Sequence, residues 1–207
     1  MTTPTMLEKA MRHLYTILLA AVLATTSAIA LAQTATRIRG AITAVDATTL
    51  SVKSRSGEDL KIALTDATTV GVTTAVKFED LRAGDYVGAT AVKRADGKLV
   101  ALEVHYLPPN AASGHFPWDL APGSTMTNAN VVEARIAAAG VRELTLKYKD
   151  GEQTIVVAPD TPVVRAVPSA RSDLKVGETV FVAAQSADGR LTALRVQVSK
   201  DGVRPPQ

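Results

Sequence analysis

Beyond residue 36, apolar and polar residues alternate with a period of two through much of the chain. Leu50 and Val52 are interleaved with Ser51 and Lys53, and Leu60, Ile62 and Leu64 with Lys61 and Ala63. Leu102, Val104 and Tyr106 alternate with Glu103 and His105, and Leu194, Val196 and Val198 with Arg195 and Gln197. Successive side chains of a strand point to opposite faces, so this pattern predicts half-buried strands, with His105 on an outward, solvated face. Ser56-Gly57, Asp96-Gly97, Asp150-Gly151 and Asp188-Gly189 punctuate the strands. Glycine there permits the positive φ that tight hairpins need. No stretch carries a 3.6-residue apolar face; Phe78–Leu81 and Ser169–Leu174 read as single helical turns.

The pattern is written twice. Leu50-Ser-Val-Lys-Ser-Arg-Ser-Gly57-Glu58 is answered by Leu144-Thr-Leu-Lys-Tyr-Lys-Asp-Gly151-Glu152, at an offset of 94. Asp80-Leu81-Arg-Ala-Gly84-Asp85-Tyr-Val87 is answered by Asp173-Leu174-Lys-Val-Gly177-Glu178-Thr-Val180 at 93, and Ala95-Asp96-Gly97-Lys98-Leu99 by Ala187-Asp188-Gly189-Arg190-Leu191 at 92. Repeat one runs 37–107 and repeat two 130–198, each predicted to close as one β-barrel. Each repeat is too short for two stacked sheets, and closure removes exposed strand edges. The fold class is therefore all-β: two tandem small antiparallel barrels, OB-like first and SH3-like as the alternative. A domain this small buries only about 60% of its surface, so two docked copies gain core that one lacks.

An address precedes the repeats. Lys9, Arg12 and His13 lead into an apolar run, Leu14 to Leu23, and then small residues ending Ala30-Leu31-Ala32 before Gln33. A basic n-region, a short apolar h-region and an A-x-A site read as a secretory signal peptide, 1–32, cleaved near Ala32. Met1, Met6 and Met11 each leave that signal intact. The alternative, an uncleaved anchor, is opposed by Thr16, Thr25, Thr26 and Ser27, which dilute a barely spanning segment. The expected location is periplasmic or secreted, with no membrane span in the mature chain. Removing Lys9, Arg12 and Glu8 leaves 21 basic and 19 acidic residues.

Gly40-Ala-Ile-Thr-Ala-Val-Asp46, Leu50-x-Val52, Leu81-x-x-Gly84-Asp85-x-Val87 and Asp96-Gly97 together resemble a bacterial family of exported, tandem OB-like barrel repeats classed as a domain of unknown function. Repeat two departs from the pattern, with Ala134-Arg135-Ile136 at the expected Gly-x-Ile opening. Some members of that family carry a metal-transporter permease label, which a chain without further spanning segments does not support.

Composition narrows the chemistry. With no cysteine, disulfides, thiolate metal sites, a cysteine nucleophile and a lipid-anchored N-terminus are all excluded. Lys53, Arg55, Lys61, Lys147 and Lys149 form basic stripes, but Glu58, Asp59, Asp150 and Glu152 cancel them, so no nucleic acid is expected as partner. Carboxylate pairs such as Glu58/Asp59 and Glu79/Asp80 fall in turns, as ordinary solvated residues.

The connection 108–129 is unusual: rich in proline, with His115, Phe116, Trp118 and Asp119 close together. A structureless connection of this length needs a packing or functional reason. One reading makes it a plug between the barrels through Phe116, Trp118 and Leu120; another makes His115, Phe116, Trp118 and Asp119 a ligand-facing lip. A metal site would draw on His105, His115 and Asp119. A hydrolase would need Ser124 or Ser113 with His115 and Asp119, without the usual nucleophile elbow.

The reading is a non-enzymatic exported binding or scaffolding protein, with no catalytic residues and no cofactor. Its partner is expected to be an envelope protein, a glycan or a small ligand, and its state a monomer or weak oligomer. Residues 199–207 are expected to form a flexible tail.

Overall fold

The computed structural model describes residues 34–206; the expected signal peptide, 1–32, lies outside the described residues. Among the described residues thirteen strands form in chain order. Repeat one supplies β1 (Thr34–Val45), β2 (Thr49–Ser54), β3 (Asp59–Ala63), β4 (Thr69–Ala75), β5 (Tyr86–Lys93) and β6 (Leu99–Tyr106). The connection supplies β7 (Gly114–Pro117). Repeat two supplies β8 (Ser124–Ile136), β9 (Arg142–Tyr148), β10 (Gly151–Val157), β11 (Val163–Ser169), β12 (Thr179–Ala187) and β13 (Arg190–Val198). The expected helical turns are 3-10 turns at Phe78–Asp80 and Arg171–Asp173. Among the described residues no helix is long and apolar enough to cross a membrane.

The chain is all-β with closed five-stranded barrels, but a barrel is not a repeat. The sheet closes as β1-β2-β3-β13-β12 and back to β1, and again as β8-β9-β10-β6-β5 and back to β8. Each barrel thus takes three strands from one repeat and two from the other. The expectation that 37–107 and 130–198 each close on themselves is corrected here. The antiparallel pattern is also interrupted where the exchanged strands enter, since β3–β13 and β6–β10 pair in parallel.

Two extended arms make the exchange. β4 leads from the first barrel to the second, and β11 leads back. The arms pair with each other, Val72 against Val167 and Thr73 against Ala166. With the 94-residue offset, Val72 corresponds to Ala166 and Thr73 to Val167, so the two pairs are equivalent and a pseudo-two-fold axis passes between them.

The turns lock the crossing symmetrically. Gly84 has φ +91° and donates its N–H to Val131 of β8; Gly177, also at φ +91°, donates to Ile42 of β1, both at 2.8 Å. Only glycine adopts that backbone without strain, which explains the Leu-x-x-Gly pattern in both repeats. The hairpin glycines Gly57, Gly97 and Gly189 have the expected positive φ, whereas Gly151 opens β10 without it.

The core follows the exchange. Ile38, Ile42, Leu50, Val52 and Ile62 of repeat one are sealed in with Val180, Val182, Val196 and Val198 of repeat two. Val131, Leu144, Leu146 and Ile155 close in the same way over Phe78, Val87 and Val104. Each such side chain, fully withdrawn from water, contributes about 1.5–3 kcal/mol. Half of each core belongs to the other repeat, so neither repeat retains a core alone.

Two further expectations change. The connection 108–129 is not structureless: β7 pairs antiparallel with β8, which begins at Ser124, well before the expected start of repeat two. Residues 199–206 do not form a free tail either. Ser199 is buried and hydrogen-bonds Glu178 and the Thr179 N–H, Lys200 bridges Val203, and Pro205 and Pro206 are buried.

Candidate functional site

β6 and β13 occupy equivalent positions in the two barrels. Each carries a register shift against its neighbour, between Thr90 and Ala91 on β5 and between Ala183 and Ala184 on β12. After the shift, Val104 and Val196 turn into the barrel cores and the flanking side chains turn outward. Outward does not mean solvated, because each barrel covers the other. Glu103 is 4% exposed, His105 9% and Gln197 6%.

The expectation that His105 is a solvated surface residue is therefore overturned. Alternation identified its face correctly but said nothing of what covers that face. Its Nδ1 is buried with no hydrogen-bond partner, and Glu103 Oε1 stands 3.6 Å away, beyond normal hydrogen-bond reach. Burial, aided by the nearby Arg195 guanidinium, lowers the His105 pKa to about 4, so the ring is neutral at ordinary pH. Its opposite on β5 is Gly88, where a Cβ would lie 2.8 Å from His105 Nε2 and 3.0 Å from Asn128 Oδ1. Repeat two has Phe181 at the position of Gly88 and Gln197 at that of His105.

Between the barrels lies a cleft of about 220 Å³. His105 and Gln197, related by the pseudo-two-fold axis, both line it, together with Arg37, Trp118, Phe181 and Arg195. A second hollow, of about 470 Å³, continues along the shared residues Tyr106, Leu107, Pro108, Arg195 and Gln197 to Arg165 on β11. Among the residues lining the cleft, the Asn128 side-chain oxygen and Arg195 Nε are buried without hydrogen-bond partners. Burial lowers the Arg195 pKa.

The connection supplies one wall. Ser124 Oγ closes the turn after β7 by donating to the Trp118 and Ala121 carbonyls, at 3.0 and 2.8 Å as alternative acceptors. That turn carries Trp118 and Asp119 onto β1. The Arg37 guanidinium stacks 4.1 Å from the centre of the Trp118 ring, and Arg39 forks onto Asp119 at 2.8 and 3.1 Å. The hydrogen bonds from Arg39 hold the Asp119 carboxyl below its usual range. Phe116 packs at a tilt against Trp118, with centroids 6.0 Å apart.

The residues singled out from the sequence thus separate. Trp118 and His105 meet in the cleft. Asp119 is spent on Arg39, beside a neighbouring hollow. His115 Nδ1 is 2.9 Å from Thr127 Oγ1, and its ring stacks on Tyr148 at 6.3 Å. His105, His115 and Asp119 are not brought together, and among the described residues no group of three or more His, Asp or Glu stands close enough to hold a metal ion. The Ser124 triad is not assembled either, its three members being engaged as above; Ser113 donates to the Asn128 carbonyl at 3.2 Å. Of the basic stripe, Lys53 pairs with Asp59 at 3.0 Å.

Sequence reasoning missed Arg37, Arg165 and Arg195. One signal pointed at the last of these: aligned repeats place Glu103 opposite Arg195 and His105 opposite Gln197, within blocks that otherwise match. No curated protein and no solved structure matches the chain. Residues 39–105 and 131–197 each match the family model described as "Domain of unknown function (DUF5666)", and the protein belongs to that family, as a tandem of two of its domains.

Proposed function

We propose that this is an exported, non-catalytic binding protein whose ligand occupies the cleft between the barrels. The observation that carries the reading is the divergence of the two repeats at the pseudo-two-fold axis. Their core positions are interchangeable apolar residues, yet on the outward faces Glu103/His105 stand against Arg195/Gln197, and Gly88 against Phe181. Packing alone does not require unlike polar side chains at equivalent buried positions. A single asymmetric ligand bound on the axis would be served by unlike polar groups on its two sides. The strand order of each barrel, with a parallel pair joining the third and last strands, supports the OB-like reading, a fold that lends itself to ligand binding on an exposed face. The basic, apolar and small-residue succession up to Ala32 supports export with cleavage there. A monomer or weak oligomer suffices, since the two repeats already complete each other.

Trp118 is the sole tryptophan and lines the cleft, so its emission reports occupancy directly. A panel of sugars, sugar acids, sugar phosphates and short peptides is screened by that emission. Binding that shifts Trp118 and is abolished by Ala183→Phe, which fills the cleft, supports the reading. Binding that leaves Trp118 and the Ala183→Phe variant unaffected places the site elsewhere and overturns it. Mass analysis of the exported protein is expected to give Gln33 as its first residue.

A further inference from the structure

We infer that the ligand of this cleft presents an oxyanion, a carboxylate or a phosphate, to Arg195, Arg37 and Arg165; this rests on the cleft being the binding site. The charged lining of the cleft and its continuation consists of these three arginines, with no Asp or Glu in either. Glu103, on the same strand as His105, faces a different hollow. His105, buried and neutral, offers no competing charge.

The arginines are arranged as donors rather than as structural ion pairs. The Arg37 guanidinium carbon lies over the Trp118 ring, 4.1 Å from its centre, and that of Arg165 lies 3.8 Å from the centre of the Tyr106 ring. Placement over a ring steadies a guanidinium without neutralising its charge, which stays available to a planar or tetrahedral oxyanion. Arg195 is half-buried at the junction of the two hollows, and no carboxylate pairs with it among the described residues. A cation withdrawn from water without an anion is costly, and an arriving oxyanion removes that cost. Several arginines elsewhere are matched: Arg39 to Asp119, Arg142 to Glu79, Arg94 to Asp96 and Arg135 to Glu143. Arg37, Arg165 and Arg195 have no such partner within 4.0 Å, and all three line the cleft or its continuation. The Gln197 amide and the buried Asn128 oxygen add neutral hydrogen-bonding groups for the rest of the ligand.

The test titrates the protein with inorganic phosphate, glucose 1-phosphate, galacturonate and glucose, by calorimetry and Trp118 emission at low salt. At least one of the acids is expected to bind at least tenfold more tightly than glucose and to weaken as salt rises. Phosphate-selective or galacturonate-selective binding identifies which oxyanion is meant. Arg195→Gln is expected to weaken that acid at least tenfold and Arg195→Lys less, with Arg37→Gln as an independent variant; the exposed Arg190→Gln leaves affinity unchanged. Retained melting temperature and circular dichroism show that each variant folds. Glucose binding as tightly as the acids, unaltered affinity in both Arg195→Gln and Arg37→Gln, or no response to any acid overturns the oxyanion. If glucose binds equally well and Ala183→Phe still abolishes binding, the cleft stands and only the oxyanion falls. If an acid binds regardless of Ala183→Phe and Arg195→Gln, both readings fall.

Discussion

His105 makes the protein sensitive to mild acid, and the effect can be sized. In the unfolded chain its imidazole titrates at its ordinary value of 6.5, whereas in the folded protein burial lowers it to about 4. Below pH 6.5 the unfolded state gains a proton that the folded state refuses, so stability is complete above that value and is lost as pH falls toward 4. Linkage at about 1.4 kcal/mol per tenfold in proton activity gives a loss of about 2.5 kcal/mol between neutrality and about pH 4.5. Glu103 and Arg195 are the charged groups beside the ring. Carboxylates held low in the folded state, such as Asp96 at about 2 and Asp119, titrate chiefly below this window. His105→Gln is the clean perturbation, because repeat two already buries Gln197 at the equivalent place. Urea unfolding of residues 33–207, followed by circular dichroism at neutral pH and at about pH 4.5, isolates the term as the difference between wild type and variant. A variant that loses as much stability as the wild type over that interval refutes the reasoning.

Other outcomes follow from the same packing. Gly88→Ala forces a methyl group against His105 and Asn128 and is expected to cost about 1–3 kcal/mol, read as a lowered urea midpoint. Trp118→Ala removes the ring under Arg37; because Trp118 is only half-buried, the cost is about 2 kcal/mol, short of a fully buried aromatic. A chain of residues 33–107 alone is expected to be unfolded or a two-fold dimer, and a folded monomer in sedimentation contradicts the shared cores.

Much of the fold was legible because strand alternation and turn glycines are local properties. Leu50, Val52, Ile62 and Val196 lie where their period of two places them. The exchange was not legible, since β5 and β12 carry almost the same apolar pattern and either could have closed on β1. What selects β12 is the path of β4 and β11, two arms that pair with each other instead of folding back. The candidate site was half legible. Trp118 stood out by composition, and its turn does carry it to β1. His105 and Arg195 were placed on the correct faces, but burial there comes from a neighbouring barrel many residues away in the chain. Asp119, credible as a ligand in isolation, has its charge taken by Arg39, a partner that no sequence spacing announces.

The exchange of strands creates the cleft, and inter-strand nuclear Overhauser contacts test it directly. Cross-peaks of Gly40 with Val180 and of Val87 with Ala129 are expected, as β1 meets β12 and β8 meets β5. Contacts of Gly40 with Val87 in their place would mean that each repeat closes on itself, and the cleft described here would not exist.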